Sequence, residues 1–163
     1  MAALVGLSAW FGFESSARAE ATIRVEARGE LMRRFNEAVY GGPGLEVAGG
    51  WSFDTYPIMV IPEIAVEGAV YPGDPVTGSF RVVGGIRVGA ALEVEPTIYV
   101  RGGYAQVWGR EDDGPGATFE AGASLDKRLQ REITIGGSLG YQGFFLPEWA
   151  HGFAAGVHVG FWL

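Results

Sequence analysis

The sequence contains no cysteine, only two histidines and no uninterrupted apolar run long enough for a membrane-spanning helix. The absence of cysteine excludes a disulfide framework and thiolate metal sites. A spanning helix needs about 20 consecutive apolar residues, so the 48% of hydrophobic residues must be dispersed among polar ones. Basic residues are also few, and a formal net charge of −7 argues against nucleic acid as a partner. A chain of 163 residues is sufficient for a single domain.

Residues 1–19 combine an apolar stretch with a small-x-small cleavage pattern. Ala2–Phe13 has the length of the apolar part of a signal peptide, and Ala17-Arg18-Ala19 matches the cleavage pattern. No basic residue precedes the apolar stretch, so the signal peptide is incomplete at its start. The alternative is a first β-strand, because Val5 to Phe13 alternate at period two. We favour the signal peptide, since residues 20–163 alone give the even strand number that bacterial single-chain barrels require.

From Ala21 onward, apolar residues alternate with polar or small ones, and turn-forming clusters interrupt this pattern at intervals. Alternation at period two predicts strands with chemically different faces. Helical periodicity occurs only around Glu30–Ala38, which favours one short helix there. The eight predicted strands are Ala21–Arg33, Leu45–Asp54, Ile58–Tyr71, Ser79–Val94, Ile98–Gly109, Ala117–Asp126, Glu132–Phe145 and Gly152–Leu163.

The predicted connections alternate between long and short. Short periplasmic turns and longer outer loops are typical of outer-membrane barrels. The third strand contains Pro62, which lacks the N–H that a ladder needs, so we expect a bulge or an unpaired carbonyl there. The long connections are Phe35–Gly44, Pro72–Gly78, Arg110–Gly116 and Leu146–His151, and the short ones are Thr55–Pro57, Glu95–Thr97 and Lys127–Arg131.

The two faces of the predicted strands differ in residue type. In the third strand, for example, Ile64 and Val66 lie on one face, and Glu63 and Glu67 lie on the other. The apolar face of the whole set holds too many large aromatics for an eight-stranded interior, which barely accommodates its own side chains. The apolar face must therefore point outward into lipid. The predicted fold is all-β: an eight-stranded antiparallel up-and-down transmembrane β-barrel formed by residues 20–163.

The alternating strands over residues 21–163, the short turns and the closing GFAAGVHVGFWL resemble the outer-membrane β-barrel families of the OmpA-like and opacity-protein type. The last strand is similar to the assembly signal of these families, with Phe161 near its end, but it departs from them by ending in Leu163 instead of an aromatic residue. The resemblance implies a location in the bacterial outer membrane, contact with outer-membrane lipid and recognition of the C-terminal strand by the barrel assembly machinery. Members of these families serve as adhesins, structural anchors or narrow channels.

Charged residues of both signs share the polar face and are predicted to meet in the lumen. Buried charges must be paired, because an unpaired one costs several kcal/mol. Equal numbers of both signs favour a salt-bridge plug over a polar gate or proton path. We call this set the lumen ionic network: Arg24, Glu26, Arg28, Glu46, Glu63, Glu67, Arg81, Arg87, Arg101 and Glu120.

Aromatic residues of the apolar face concentrate near the ends of the predicted strands. Two such bands are typical of the aromatic girdles at the two membrane–water interfaces, although aromatic residues also have a general preference for strands. The predicted girdle residues are Trp108, Phe119, Phe145 and Phe153 at the loop end, and Trp51, Phe53 and Phe161 at the turn end.

Catalytic chemistry finds little support in the sequence. His151 is predicted in a loop and His158 in the lumen, so no paired histidine site and no Ser-His-acid spacing is apparent. Glu111 to Asp113 could hold calcium, but a solvated loop tip is the simpler interpretation. We therefore expect a monomeric, non-enzymatic barrel without metal or cofactor, which acts as a structural or adhesin-like protein through its outer loops. A narrow channel is the alternative, and a lipid-modifying enzyme is a weaker one.

Overall fold

The computed structural model describes residues 18–34, 39–109, 114–147 and 149–163. The predicted signal peptide lies almost wholly outside these residues, as does the alternative first strand. The described chain forms a closed barrel in which each strand pairs antiparallel with its neighbours, and β1 pairs with β8. The predicted eight-stranded up-and-down barrel is thus confirmed. The strands are β1 Arg18–Arg34, β2 Val39–Thr55, β3 Ile58–Tyr71, β4 Thr77–Ala90, β5 Val94–Trp108, β6 Pro115–Arg128, β7 Ile133–Phe145 and β8 Trp149–Trp162.

The strands are strongly staggered around the barrel. Paired residues followed once around the barrel, starting at Arg24 and passing through Ala48, return to β1 at Arg34, ten residues from the start. A stagger of this kind tilts the strands and sets the interior width, which in an eight-stranded barrel is just filled by side chains. We call the end that holds residues 72–76 and 146–147 the outer end, and the end that holds Arg18 and Leu163 the inner end.

Alternate residues face the lumen and the exterior, as the residue types predict. Ile98 and Val157 are 66% and 69% exposed, whereas Arg81 and Glu120 are 0% exposed. The outside of the barrel is therefore an apolar surface suited to lipid, and the charges lie inside. Within the part of the chain that is described, no helix is long and apolar enough to cross a membrane.

Several strands extend further than predicted, and the outer connections shrink accordingly. The helix expected around Glu30–Ala38 is wrong for Glu30–Arg34, which belong to β1; the rest of that segment up to Ala38 lies outside the described residues. The long link Phe35–Gly44 is also wrong, because β2 already begins at Val39. The other outer intervals, 72–76, 109–114 and 146–148, are likewise shorter than predicted. The contrast between long outer and short inner connections is consequently weak.

The Gly42-Pro43-Gly44 cluster shows why turn chemistry was misleading here. These residues pair with Glu30, Gly29 and Arg28 in the β1–β2 ladder. A Cβ on Gly42 would collide with the carbonyl oxygen of Val70, so glycine is needed where β2 and β3 approach closely. The glycines therefore serve strand packing instead of a turn.

The remaining boundary corrections concern two short links and Pro62. The link predicted at Lys127–Arg131 is 129–132, because β6 continues to Arg128 and β7 begins at Ile133. Strand β4 ends at Ala90, and not at the predicted Val94, because Ala91 N donates to the Pro57 carbonyl at 2.9 Å; the short link is 91–93 instead of Glu95–Thr97. No bulge occurs at Pro62. It pairs with Ile86 in an unbroken β3–β4 register, while the β2–β3 ladder skips two pairs beside it and resumes in the same register.

Candidate functional site: the lumen ionic network

The ten residues of the lumen ionic network lie on six strands and point inward at period two. Nine of the ten are fully buried, and the Arg24 side chain is 11% exposed. The structure brings all ten into one connected set of ion pairs.

Arg28 is the centre of the network. Its guanidinium donates to Glu46 at 2.6 Å and also to Glu67 and Glu120, and its Nε lies 3.3 Å from Glu26. These carboxylates come from β1, β2, β3 and β6, so one side chain links strands on opposite sides of the barrel. Such charge-assisted hydrogen bonds are among the strongest that side chains form.

Arg81 extends the network toward the outer end. It donates to Glu67 through Nε at 2.7 Å and again through Nη2, and it reaches Glu120 at 3.3 Å. Its guanidinium lies 5.4 Å from the ring centre of Phe144. Arg81 therefore contacts both the carboxylates of the network and the ring of Phe144, which lies on the outer side of the network.

Arg101 and Arg87 extend the network toward the inner end. Arg101 donates to Glu46 at 2.8 Å and to Glu63 at 2.7 Å. Arg87 lies 3.3 Å from Glu63 and donates to Ser124 at 2.7 Å. Both guanidinium groups lie within 5.0 Å of the ring centre of Tyr99.

Arg24 forms the inner edge of the network. Its Nη2 donates to Glu46 at 2.7 Å, and its Nε lies 3.8 Å from Glu26. It also borders a cavity of about 50 Å³ in the inner half of the lumen, whose lining includes Glu63, Arg87 and Met59. This volume is enough for a few water molecules. The lining includes none of the residues of the outer half.

His158 is held between two carboxylates, a feature that sequence reasoning missed. Nδ1 lies 3.1 Å from Glu26, and Nε2 contacts Asp126. Ser138 donates to Glu26 at 2.5 Å, and not to the histidine. With both ring nitrogens directed at carboxylates, His158 has no nitrogen free to accept a proton from Ser138.

Two apolar layers lie in the lumen, one on each side of the network along the barrel axis, and sequence reasoning missed both. The outer apolar layer and the inner apolar layer differ in composition but are each almost completely buried. Their members have the parity of the charged residues on the same strands, so inward periodicity could have revealed them. The outer layer is Met32, Ala69, Tyr71, Ala105, Val107, Phe144 and Ala150, and the inner layer is Met59, Ile61 and Trp162.

Further polar groups at both ends of the lumen were also missed. At the outer end, Tyr71 donates to Glu30 at 2.7 Å. At the inner end, Arg128 lies 3.3 Å from Glu95 and 4.3 Å from the ring centre of Trp162. His151, predicted in a loop, belongs to β8.

The network also contains three carboxylates that lie close enough together to share a metal ion. One oxygen each of Glu46, Glu67 and Glu120 lies within 4.8 Å of the others. The guanidinium of Arg28 donates to all three. The cluster is therefore the acceptor set of an arginine. Glu111 to Asp113, which could hold calcium by sequence, lie outside the described residues.

The predicted girdle residues all face outward, in two bands. Trp108, Phe145 and Phe153 are exposed near the outer end, and Phe119 is half-buried there. Trp51, Phe53 and Phe161 are exposed near the inner end.

Comparison with known proteins shows which solved structures share this architecture. No protein-family model and no curated protein matches the sequence. Among solved structures, the chain is similar to Neisserial surface protein A, with a TM-score of 0.64 and 11% identity over 87% of this chain and 98% of that one. It is also similar to Ail, the attachment invasion locus protein of Yersinia pestis, with a TM-score of 0.64 and 12% identity over 90% of this chain and 99% of that one.

A third similar structure is the N-terminal β-barrel domain of OprF from Pseudomonas aeruginosa. The TM-score is 0.52 and the identity 16%, over 90% of this chain and 100% of that one. At these identities the likeness concerns the fold. The chain has the fold of the small OmpA-like and opacity-type barrels of bacterial outer membranes.

Proposed function

We propose that this protein is a closed outer-membrane barrel that serves a structural or surface-interaction role and does not conduct solutes. The contact of Arg28 with carboxylates from four strands is the observation that carries the proposal. It fills the lumen at its centre and ties opposite walls together. Eight strands leave no aqueous channel once the interior is filled, whereas porins with open channels have 16 or so strands.

The narrow channel is the second candidate, and the distribution of space in the lumen argues against it. The inner cavity stops at the level of Arg24 and Glu63. Beyond it lie the ion pairs and then the outer apolar layer, with Met32, Tyr71 and Phe144 each at most 1% exposed. To pass, an ion would have to break the ion pairs of the network and then cross the outer apolar layer. Both steps are costly, because the ion would lose its water without gaining compensating partners.

A lipid-modifying activity is disfavoured by the position of the polar groups. Ser138 and His158 face the lumen and are buried there. Lipid contacts the opposite face of these strands. The imidazole of His158 is engaged by Glu26 and Asp126.

A surface-interaction role accords with two of the similar structures, a Neisserial surface protein and an attachment invasion locus protein. One structure of Ail contains sucrose octasulfate, a heparin analogue. The outer intervals of this chain are instead acidic by sequence, with Asp74 and Glu111 to Asp113. These loop residues would repel a polysulfated ligand, so we propose a neutral or basic protein partner for the loops themselves. Pull-down with host-matrix and envelope proteins tests this role.

Assembly is proposed to follow the route of the similar barrels, with residues 1–19 removed as a signal peptide and the C-terminal strand read by the barrel assembly machinery. Strand β8 closes the barrel against β1 and presents Phe161 outward. Phe161→Ala should therefore reduce the amount of barrel inserted in the outer membrane. The matched variant Val159→Ala, one outward position earlier, should reduce it less. Quantitative blotting of outer-membrane fractions compares the two.

Proteoliposome swelling tests the closed lumen. Vesicles with the unmodified protein should swell in isotonic small sugars no faster than empty vesicles, because the network and both apolar layers remain in place. Swelling at the rate given by an open porin would contradict the proposal.

A further inference from the structure

One side of the outer half of the exterior carries a connected set of aromatic rings. Ring centres lie 5.8 Å apart for Phe119 and Phe145, 4.8 Å for Phe145 and Trp149, and 5.3 Å for Tyr141 and Phe153. Phe119 and Tyr141 join the two groups at 5.9 Å. These five residues of β6, β7 and β8 are named the ring platform.

Within the ring platform, the ring of Phe119 covers its strand partner Gly143. A Cβ on Gly143 would collide with Cε1 of Phe119, so the ring occupies the space that a side chain at this position would take. Such covering of a strand glycine by a neighbouring ring shields the backbone there. The rings of the platform are inclined to one another by 35° to 76°, so they present an uneven apolar surface to the membrane. A girdle residue anchoring at the interface needs no such connected surface extending along three strands.

Two basic residues stand beside the platform at its outer edge. Arg33 of β1 and His151 of β8 are paired in the strand register, and the ring of His151 lies 5.9 Å from that of Tyr141. Arg33 is exposed, and no ion pair joins it to another residue in the described ranges. The Nδ1 atom of His151 is buried, whereas Nε2 is not, so Nε2 is the ring nitrogen that a ligand outside the barrel can reach. Among the strand residues described at the outer end, Arg33 is the sole outward-facing lysine or arginine.

We propose that this surface binds a phosphorylated, acylated glycolipid of the outer leaflet, with the phosphate at Arg33 and His151 and the acyl chains along the ring platform. Charge complementarity selects the occupant, because an unpaired guanidinium at a membrane interface attracts an anionic head group. The inference rests on the proposed outer-membrane location.

Native mass spectrometry of the full chain with purified bis-phosphorylated lipid A tests the inference. Arg33→Gln combined with His151→Asn should weaken binding by about tenfold or more, because two phosphate contacts are lost. The matched control Lys127→Gln removes an exposed cation at the inner end, and should leave binding unchanged. Tyr141→Leu with Phe153→Leu should weaken binding of the acylated lipid while retaining the preference for the phosphorylated form.

Equal binding of lipid A by the unmodified protein and the Arg33→Gln/His151→Asn variant would overturn the inference. So would equal loss in Lys127→Gln, or binding of phosphatidylglycerol as tight as that of lipid A. Each variant is first shown to be a folded barrel by its heat-dependent gel mobility. Failure of the unmodified chain to fold in lipid would contradict the proposed function instead, so the two failures are distinguishable.

Discussion

Replacing Arg28 with methionine removes the cation that holds the lumen ionic network together. Three carboxylates that lie within 4.8 Å of one another would lose a shared donor. At this separation each pair of charges repels by about 3.5 kcal/mol for an effective dielectric constant near 20. Arg81 and Arg101 still contact these carboxylates and offset part of the repulsion. We therefore expect a net loss of about 3–5 kcal/mol, as is typical when one partner of a buried ion pair is removed.

Urea unfolding in lipid vesicles, followed by tryptophan fluorescence, measures this loss. Arg24→Met is the matched control: its side chain borders the inner cavity and has one short contact, with Glu46. It should cost about 1.5–3 kcal/mol. Adding Glu67→Gln to Arg28→Met should recover part of the stability, because one of the stranded charges is removed. Equal costs for the two arginines, or strict additivity of Arg28→Met and Glu67→Gln, would refute the central role of Arg28.

The remaining predictions concern the two faces of the wall and the start of the chain. Val66→Arg should cost about 2–4 kcal/mol because the position faces lipid, and the adjacent lumen variant Ala65→Ser should cost less; equal refolding yields would mean that the faces are inverted. Phe144→Ala should lower the free energy of unfolding by about 3–5 kcal/mol, and Phe145→Ala by clearly less, because Phe144 is 0% and Phe145 51% exposed; the same urea titration compares them. Intact-mass analysis of the outer-membrane fraction should show that the chain begins after Ala19, and a retained leader would disprove the signal peptide.

The fold was predictable because one physical constraint repeats in every strand. Residues such as Ile64 and Glu63 can be assigned to lipid and lumen from type and parity alone, since a barrel wall has only two sides. Strand ends were less predictable. Glycine at position 42 is compatible with a turn or with close strand packing, and only the neighbouring Val70 carbonyl distinguishes the two. The predicted loop at Phe35–Gly44 was wrong for this reason.

The sequence predicted which residues belong to the lumen ionic network better than it predicted which of them contact each other. Inward parity identifies Arg28 and Glu120, but their contact depends on the stagger of the barrel, which no local pattern encodes. The same limit hid the pairing of His158 with Asp126 across β8 and β6. Glu30 was missed because its segment resembled a helix, although it continues the parity of Arg28.

The central claim is that paired charges and two apolar layers keep the lumen closed. Single-channel recording in planar bilayers tests it most directly. The variant Arg28→Ala is recorded beside the unmodified protein, to measure the ionic current that passes when the network is disrupted. The unmodified barrel should give no long-lived steps of uniform size, and the variant should give brief, irregular leaks at most while the outer apolar layer remains. Stable, uniform open steps from the unmodified protein would contradict the closed lumen and favour the narrow channel.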